Sequence, residues 1–168
     1  MAFHQYRTIL RKLVDYGGDF IVVGGVAAVV AGAPVNTFDI DIVHSREPDN
    51  ITRALKALGD LDACCRLHPP NESHLASPGH HLLMTEFGAL DVLGTIGKGL
   101  TYSDLLPHSD VREIAPGLRV RVLYRETLIA VKEEVGRDQD LAVLPVLRAT
   151  LAEIRRRQSE SSTTSECG

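Results

Sequence analysis

The 168-residue chain is long enough for one domain with a proper buried core, and its 44% hydrophobic content is that of an ordinary globular protein. A formal net charge of −4 and a pI near 5.9 exclude a broadly basic nucleic-acid surface and leave room only for a local basic groove. Cys64, Cys65 and Cys167 make no disulfide framework, no apolar run is long enough to span a bilayer, and the first residues carry no apolar signal core, so a cytoplasmic protein without membrane contact is expected.

Residues Phe3 to Tyr16 read as an amphipathic helix, with Phe3, Tyr6, Ile9, Leu10, Leu13 and Val14 on one stripe and Gly17-Gly18 ending it. Phe20 to Val23 is a continuous apolar run that suits a buried strand. Gly24-Gly25 then turns the chain into a short helix of small residues, Val26 to Ala31, closed by Gly32 and Pro34. Phe38 to Val43 alternates, with Phe38, Ile40 and Ile42 on a packed face and Asp39 and Asp41 on the other. Pro48 opens a helix buried through Ile51, Leu55 and Leu58 and stopped by Gly59.

Ala63 to Leu67 reads as a strand, and the proline-rich stretch His68 to Gly79 as a loop. His81–Thr85 and Ala89–Leu93 form a hairpin about Glu86-Phe87-Gly88, and Val111–Ile114 and Leu118–Leu123 a second one about Pro116-Gly117. A short helical turn is expected over Thr101–Leu106. Helices over Arg125–Val135 and Asp138–Arg157 close the domain, broken at Gly136, the second kinked at Pro145. Residues 1–157 thus make one domain, and the Ser/Thr-rich 158–168 a disordered tail. Met84 and the few aromatic residues read as core. Arg155-Arg156-Arg157 reads as a cationic helix C-terminus.

Asp39 and Asp41 carry the most chemistry. Residues i and i+2 of a strand project from one face, roughly 6–7 Å apart at Cα, and two carboxylates there repel unless a cation lies between them. Oxygen ligands of this kind suit Mg²⁺ or Mn²⁺. Alternation alone also produces a solvated acidic face. Asp91, in Ala89-Leu-Asp-Val-Leu93, sits among apolar neighbours where an unpaired charge is costly. It is the candidate for a third carboxylate, or else the partner of a buried ion pair. Gly24-Gly25, between a strand and a helix, is either a tight turn or a place where phosphate approaches backbone N–H groups. Neither a P-loop nor a dinucleotide-binding fingerprint is present. The histidines around Cys64-Cys65 match no common zinc spacing. Lys98 reads as a solvated loop charge and His44 as a strand-end residue.

Apolar-Gly-Gly, a short helix and then Thr37-Phe-Asp-Ile-Asp-Ile resembles the signature of the DNA polymerase β-like nucleotidyltransferase superfamily. A second anchor is Leu128-Ile-Ala-Val-Lys132 followed by Gly136-Arg137-Asp138-Gln-Asp140-Leu141, which is similar to the closing helical motif of its small bacterial members, of the minimal and abortive-infection toxin type. The resemblance covers roughly Phe20 to Leu151. It implies an α/β (α+β) nucleotidyltransferase fold, a mixed twisted sheet flanked by helices. It implies a Mg²⁺- or Mn²⁺-dependent, pyrophosphate-releasing transfer from ATP or another NTP to a hydroxyl of RNA, protein or a small molecule, in a toxin–antitoxin or phage-defence setting. Asp39, Asp41 and Asp91 would be the catalytic metal ligands and Gly24 and Gly25 the triphosphate cradle. Thr37 would steady the metal-bearing strand, and Lys132 would face the phosphates or the acidic site. Arg137 and Asp140 would pair and order the helices. Gly25 stands where relatives often carry Ser, and Pro34-Val35-Asn36 where they often carry an Arg. With no large helical substrate domain, acceptor recognition would fall to a partner protein or a second copy. These departures keep open a weakly catalytic binding or regulatory module on the same fold.

Overall fold

The computed structural model describes residues 2–65 and 68–164. Six strands form one mixed sheet: β1 (Phe20–Val23), β2 (Asp39–His44), β3 (His80–Thr85), β4 (Gly88–Leu93), β5 (Ser109–Ala115) and β6 (Leu118–Leu123). Their spatial order is β3-β4-β2-β1-β6-β5. β2 runs antiparallel to β1 and parallel to β4, β1 runs parallel to β6, and the β3/β4 and β5/β6 hairpins supply the two edges.

Helices α1 (Ala2–Asp15), α2 (Gly24–Val30), α3 (Pro48–Asp60), α4 (Glu72–Ala76), α5 (Tyr102–Leu105), α6 (Arg125–Val135) and α7 (Asp138–Thr164) flank the sheet. Leu13 of α1 and Ala54 and Leu58 of α3 gather around Ile42, His44 and Val92. This covers the sheet face to which Ile40, Ile42 and His44 point, and Ile40 and Ile42 are buried there. Two-residue periodicity turns Asp39 and Asp41 to the opposite face.

β1 is buried at all four residues, as a central strand demands. β2 starts one residue later than expected. Phe38 lies beyond the last paired positions, Val23↔Asp41 and Asp39↔Ala89, and is 84% exposed instead of packed. Met84 is 57% exposed as well: on edge strand β3 its side of the alternation faces outward, while Leu83 and Thr85 are buried. Gly59 does not stop α3, which runs through Asp60. The stretch read as a loop after His68 contains α4. Asn71 starts it by accepting from the His74 N–H, and the His74 ring reciprocates at the Asn71 N–H. The expected strand at Ala63–Leu67 is reduced to single bridges, Cys64↔Met84 and Cys65↔His68, with Leu67 outside the described residues. The Phe3 side chain also lies outside them.

Gly136, in the left-handed region at φ 63°, separates α6 from α7. α7 passes through Pro145 and continues to Thr164; residues 165–168 lie outside the described residues. Arg155, Arg156 and Arg157 therefore lie within a helix instead of at its end. Arg156 and Arg157 are paired with Glu153, and Arg156 also with Glu160. Lys98 is paired with Glu134 at 3.3 Å. No helix among the described residues is long and apolar enough to cross a membrane.

Candidate active site

The parallel register between β2 and β4 sets Asp41 directly beside Asp91. Asp39 lies two residues before Asp41 on the same face. Each of the three offers a carboxylate oxygen, and these oxygens all lie within 4.8 Å of one another. Among the described residues no other group of three or more His, Cys, Asp or Glu side chains converges in this way. The Cys64, Cys65, His68, His74, His80 and His81 neighbourhood does not form one. Of its members, His74 and His81 stack at 5.5 Å between ring centroids, and His80 bonds the Thr95 carbonyl at 2.8 Å.

Electrostatics mark the triad as under-neutralised. Burial, then the charges of Asp39 and Asp91, push the Asp41 carboxyl up to about 7. The Lys132 charge and a hydrogen bond donated by the Gly25 N–H oppose that rise. Asp91 is pushed up to about 6 by burial and by Asp39, with His80 acting against it. Two neighbouring carboxyls driven in the same direction by desolvation and like charge are stabilised as anions by a cation between them. Three hard oxygen donors on one face fit a divalent ion of the Mg²⁺ or Mn²⁺ kind.

The strand-to-helix turn is shaped around the same carboxylates. Gly24 adopts φ +62°, and a Cβ there would sit 1.9 Å from Asp41 Oδ2. A Cβ on Gly25 would sit 2.5 Å from Thr37 Oγ1. Side chains at either position would displace the acidic strand or the chain leading into it, so both glycines are required by close approach and Gly24 also by backbone conformation. Thr37 Oγ1 donates to the Asp39 carbonyl at 2.9 Å and lies 3.4 Å from Asp39 Oδ1. Tyr6 of α1 donates its hydroxyl to the Thr37 carbonyl at 2.6 Å. The chain leading into β2 is thereby tied to the first helix.

Lys132 of α6 reaches this region with its ammonium 2.7 Å from Asp140 Oδ1, and Arg137 joins the same carboxylate at 3.3 Å. Asp140 therefore serves two cations, where the sequence pairs it only with Arg137. His44 does end β2. It is buried, with Nδ1 3.0 Å from the Leu93 carbonyl and Nε2 2.8 Å from the Leu75 carbonyl. It sits behind the triad, on the opposite sheet face. Tyr6 and His80 escaped the sequence reading. Tyr6 lies on the apolar stripe of α1, which announces packing and hides the hydroxyl's bond. His80 sits at the strand position beside Leu93, visible only once β3 and β4 are in register.

No protein-family profile matches the sequence, and no curated protein sequence matches it. Solved structures do. A candidate nucleotidyltransferase from Thermotoga maritima superposes with a TM-score of 0.57 at 18% identity, covering 88% of this chain and 91% of that one. The antibiotic-resistance factor ANT(2'')-Ia superposes with a TM-score of 0.57 at 12% identity, covering 99% and 97%. The chain has a nucleotidyltransferase fold. The mixed six-stranded sheet flanked by helices accords with the architecture that the resemblance implied.

Proposed function

We propose that the chain is a divalent-metal-dependent nucleotidyltransferase, a small member of the DNA polymerase β-like superfamily, moving a nucleoside monophosphate from ATP or another NTP to a hydroxyl acceptor. The observation that carries this reading is the convergence of Asp39, Asp41 and Asp91 on the sheet face of a nucleotidyltransferase fold. These three residues would hold Mg²⁺ or Mn²⁺. When bound, the ion supplies positive charge against the triphosphate and the departing pyrophosphate.

The chain's own groups have separable tasks. Gly24 and Gly25 bring the start of α2 hard against Asp41 and Thr37, where backbone would lie beside a phosphate held at the metal site, and Lys132 supplies the neighbouring positive charge. Thr37 fixes the backbone that presents Asp39. In the transfer, the acceptor oxygen bonds to the α-phosphorus and the bond from that phosphorus to the bridging oxygen breaks. Pyrophosphate leaves with the electron pair. Asp91, the carboxylate that β4 sets beside Asp41, takes the hydroxyl proton.

RNA, a protein side chain or a small molecule is the acceptor in this reading, in the cytoplasm and within a toxin–antitoxin or phage-defence pair. A partner protein or second copy completes acceptor recognition. A second reading, a regulatory module with weak catalysis, draws on one observation: the Lys132 ammonium is already held by Asp140. The experiment is label transfer from each α-labelled NTP with Mg²⁺ or Mn²⁺ into lysate RNA and protein fractions. A labelled product lost in Asp39→Asn/Asp41→Asn protein supports the enzyme. Absence of product with every nucleotide, together with a stable co-purifying partner, transfers the conclusion to the regulatory module.

A further inference from the structure

A cavity of about 490 Å³ opens where the end of α2, β5, the start of α6 and the middle of α7 meet, away from the acidic triad. Three guanidinium groups line it from three separate elements: Arg112 of β5, Arg125 of α6 and Arg155 of α7. Two carboxylates answer them. Asp110 holds Arg112 at 2.9 Å, and Glu126 faces Arg155 loosely at 4.0 Å. The lining keeps one positive charge in excess.

Arg125 is the informative member. Its Nη2 donates to the Ala31 carbonyl at the end of α2, but its Nε is buried without a hydrogen-bond partner among the described residues. A buried guanidinium N–H without an acceptor is destabilising, so the residue is kept at the cavity edge at a cost. Its bond to Ala31 caps the end of α2, but its own helix gives no reason for the residue. Arg125 is the first residue of an eleven-residue helix, where a cation opposes the helix dipole. Val30, Leu151 and Ile154 are apolar members of the same lining. A cavity of this size can take a small molecule, and its mainly polar lining suits a charged one.

We propose that this cavity binds a small organic monoanion, a carboxylate or phosphate ester with an apolar body. Its oxygens meet the Arg125 and Arg155 guanidinium groups that line the cavity, and its body rests on Val30, Leu151 and Ile154. The site is separate from the transfer chemistry and does not depend on it. It is nevertheless placed to influence the triad. α2 begins with the glycines packed on Thr37 and Asp41, and α6 carries Lys132, whose charge acts on Asp41.

The test is calorimetric titration of the full chain in EDTA with benzoate, inorganic phosphate and adenosine monophosphate, each alone. We expect saturable one-to-one binding of benzoate or adenosine monophosphate. It should be weakened about tenfold or more by Arg125→Gln and by Arg155→Gln, and left within about twofold by Asp41→Asn. Binding of benzoate assigns a carboxylate, and binding of adenosine monophosphate a phosphate ester. Should Arg125→Gln fail to fold, Arg155→Gln carries the test, because that side chain is 65% exposed and outside the core. Three results overturn the proposal: no saturable binding of any probe, inorganic phosphate binding as tightly as the organic probes, or binding lost in Asp41→Asn and retained in Arg155→Gln.

Discussion

The Asp41 carboxylate occupies the space that a side chain on Gly24 would need, 1.9 Å from the position of its missing Cβ. The glycine turn and the acidic strand are therefore one steric unit. Gly24→Ala would force either the turn or Asp41 to move, and alanine at φ +62° adds backbone strain. We expect the variant to lose about 1–3 kcal/mol of stability in urea denaturation and to lose nucleotide transfer. Wild-type stability together with wild-type transfer would show that the turn yields without disturbing Asp41.

Asp41 and Asp91 hold carboxyls raised from the ordinary 3.8 to about 7 and about 6. Raised carboxyls bind protons more tightly in the folded chain than in the unfolded one. Their contribution to stability is then full below about 3.8 and is lost as the pH rises through 6 and 7. In EDTA, these two groups should make the protein less stable at pH 8 than at pH 5. Mg²⁺ should recover more stability at pH 8 than at pH 5, because the ion competes with protons for the same oxygens. Asp41→Asn should flatten both responses. An Asp41→Asn protein with the wild-type pH and Mg²⁺ dependence in urea denaturation would contradict this account.

The positions of Asp39, Asp41 and Asp91 were legible because alternation assigns a strand face from sequence alone, and an aspartate inside Ala-Leu-Asp-Val-Leu has few inexpensive explanations. The exposure of Phe38 was not legible. It depends on where β1 and β4 stop, and no local pattern in β2 carries that information. Met84 misled for a related reason: an edge strand leaves apolar residues uncovered that a central strand would bury. α4 carries its own start signal, Asn71 with His74 three residues on, but the surrounding prolines masked it. The link from Tyr6 to Thr37 spans 31 residues and is made by one hydroxyl on an otherwise apolar stripe. Periodicity reports the stripe and cannot report the bond.

Lys132 and Asp140 are both largely shielded, with side chains 17% and 16% exposed. Lys132→Met would remove the charge that favours ionised Asp41 and would leave Asp140 to Arg137. Mg²⁺ binding to this variant should require a higher pH than in the wild type, and transfer should fall about 10²–10³-fold. Asp140→Asn keeps the Lys132 charge. Its main expected cost is about 1–3 kcal/mol of stability, with a much smaller change in transfer. Equal losses of transfer in the two variants, measured with one labelled nucleotide, would assign Lys132 to ordering the helices instead of to the site.

His44 offers a control on the other side of the sheet. Burial holds its imidazole below the usual histidine range, so the neutral ring, within reach of the carbonyls of Leu93 and Leu75, donates its single N–H to one of them. It sits between β4, which carries Asp91, and α4. His44→Leu would remove that hydrogen bond at little change in bulk, at a cost of about 1–3 kcal/mol in urea denaturation. The carboxylates project from the opposite face, so Mg²⁺ affinity of the folded variant should stay within about twofold of wild type. A larger fall in affinity would mean that the contacts behind the sheet set the spacing of Asp41 and Asp91.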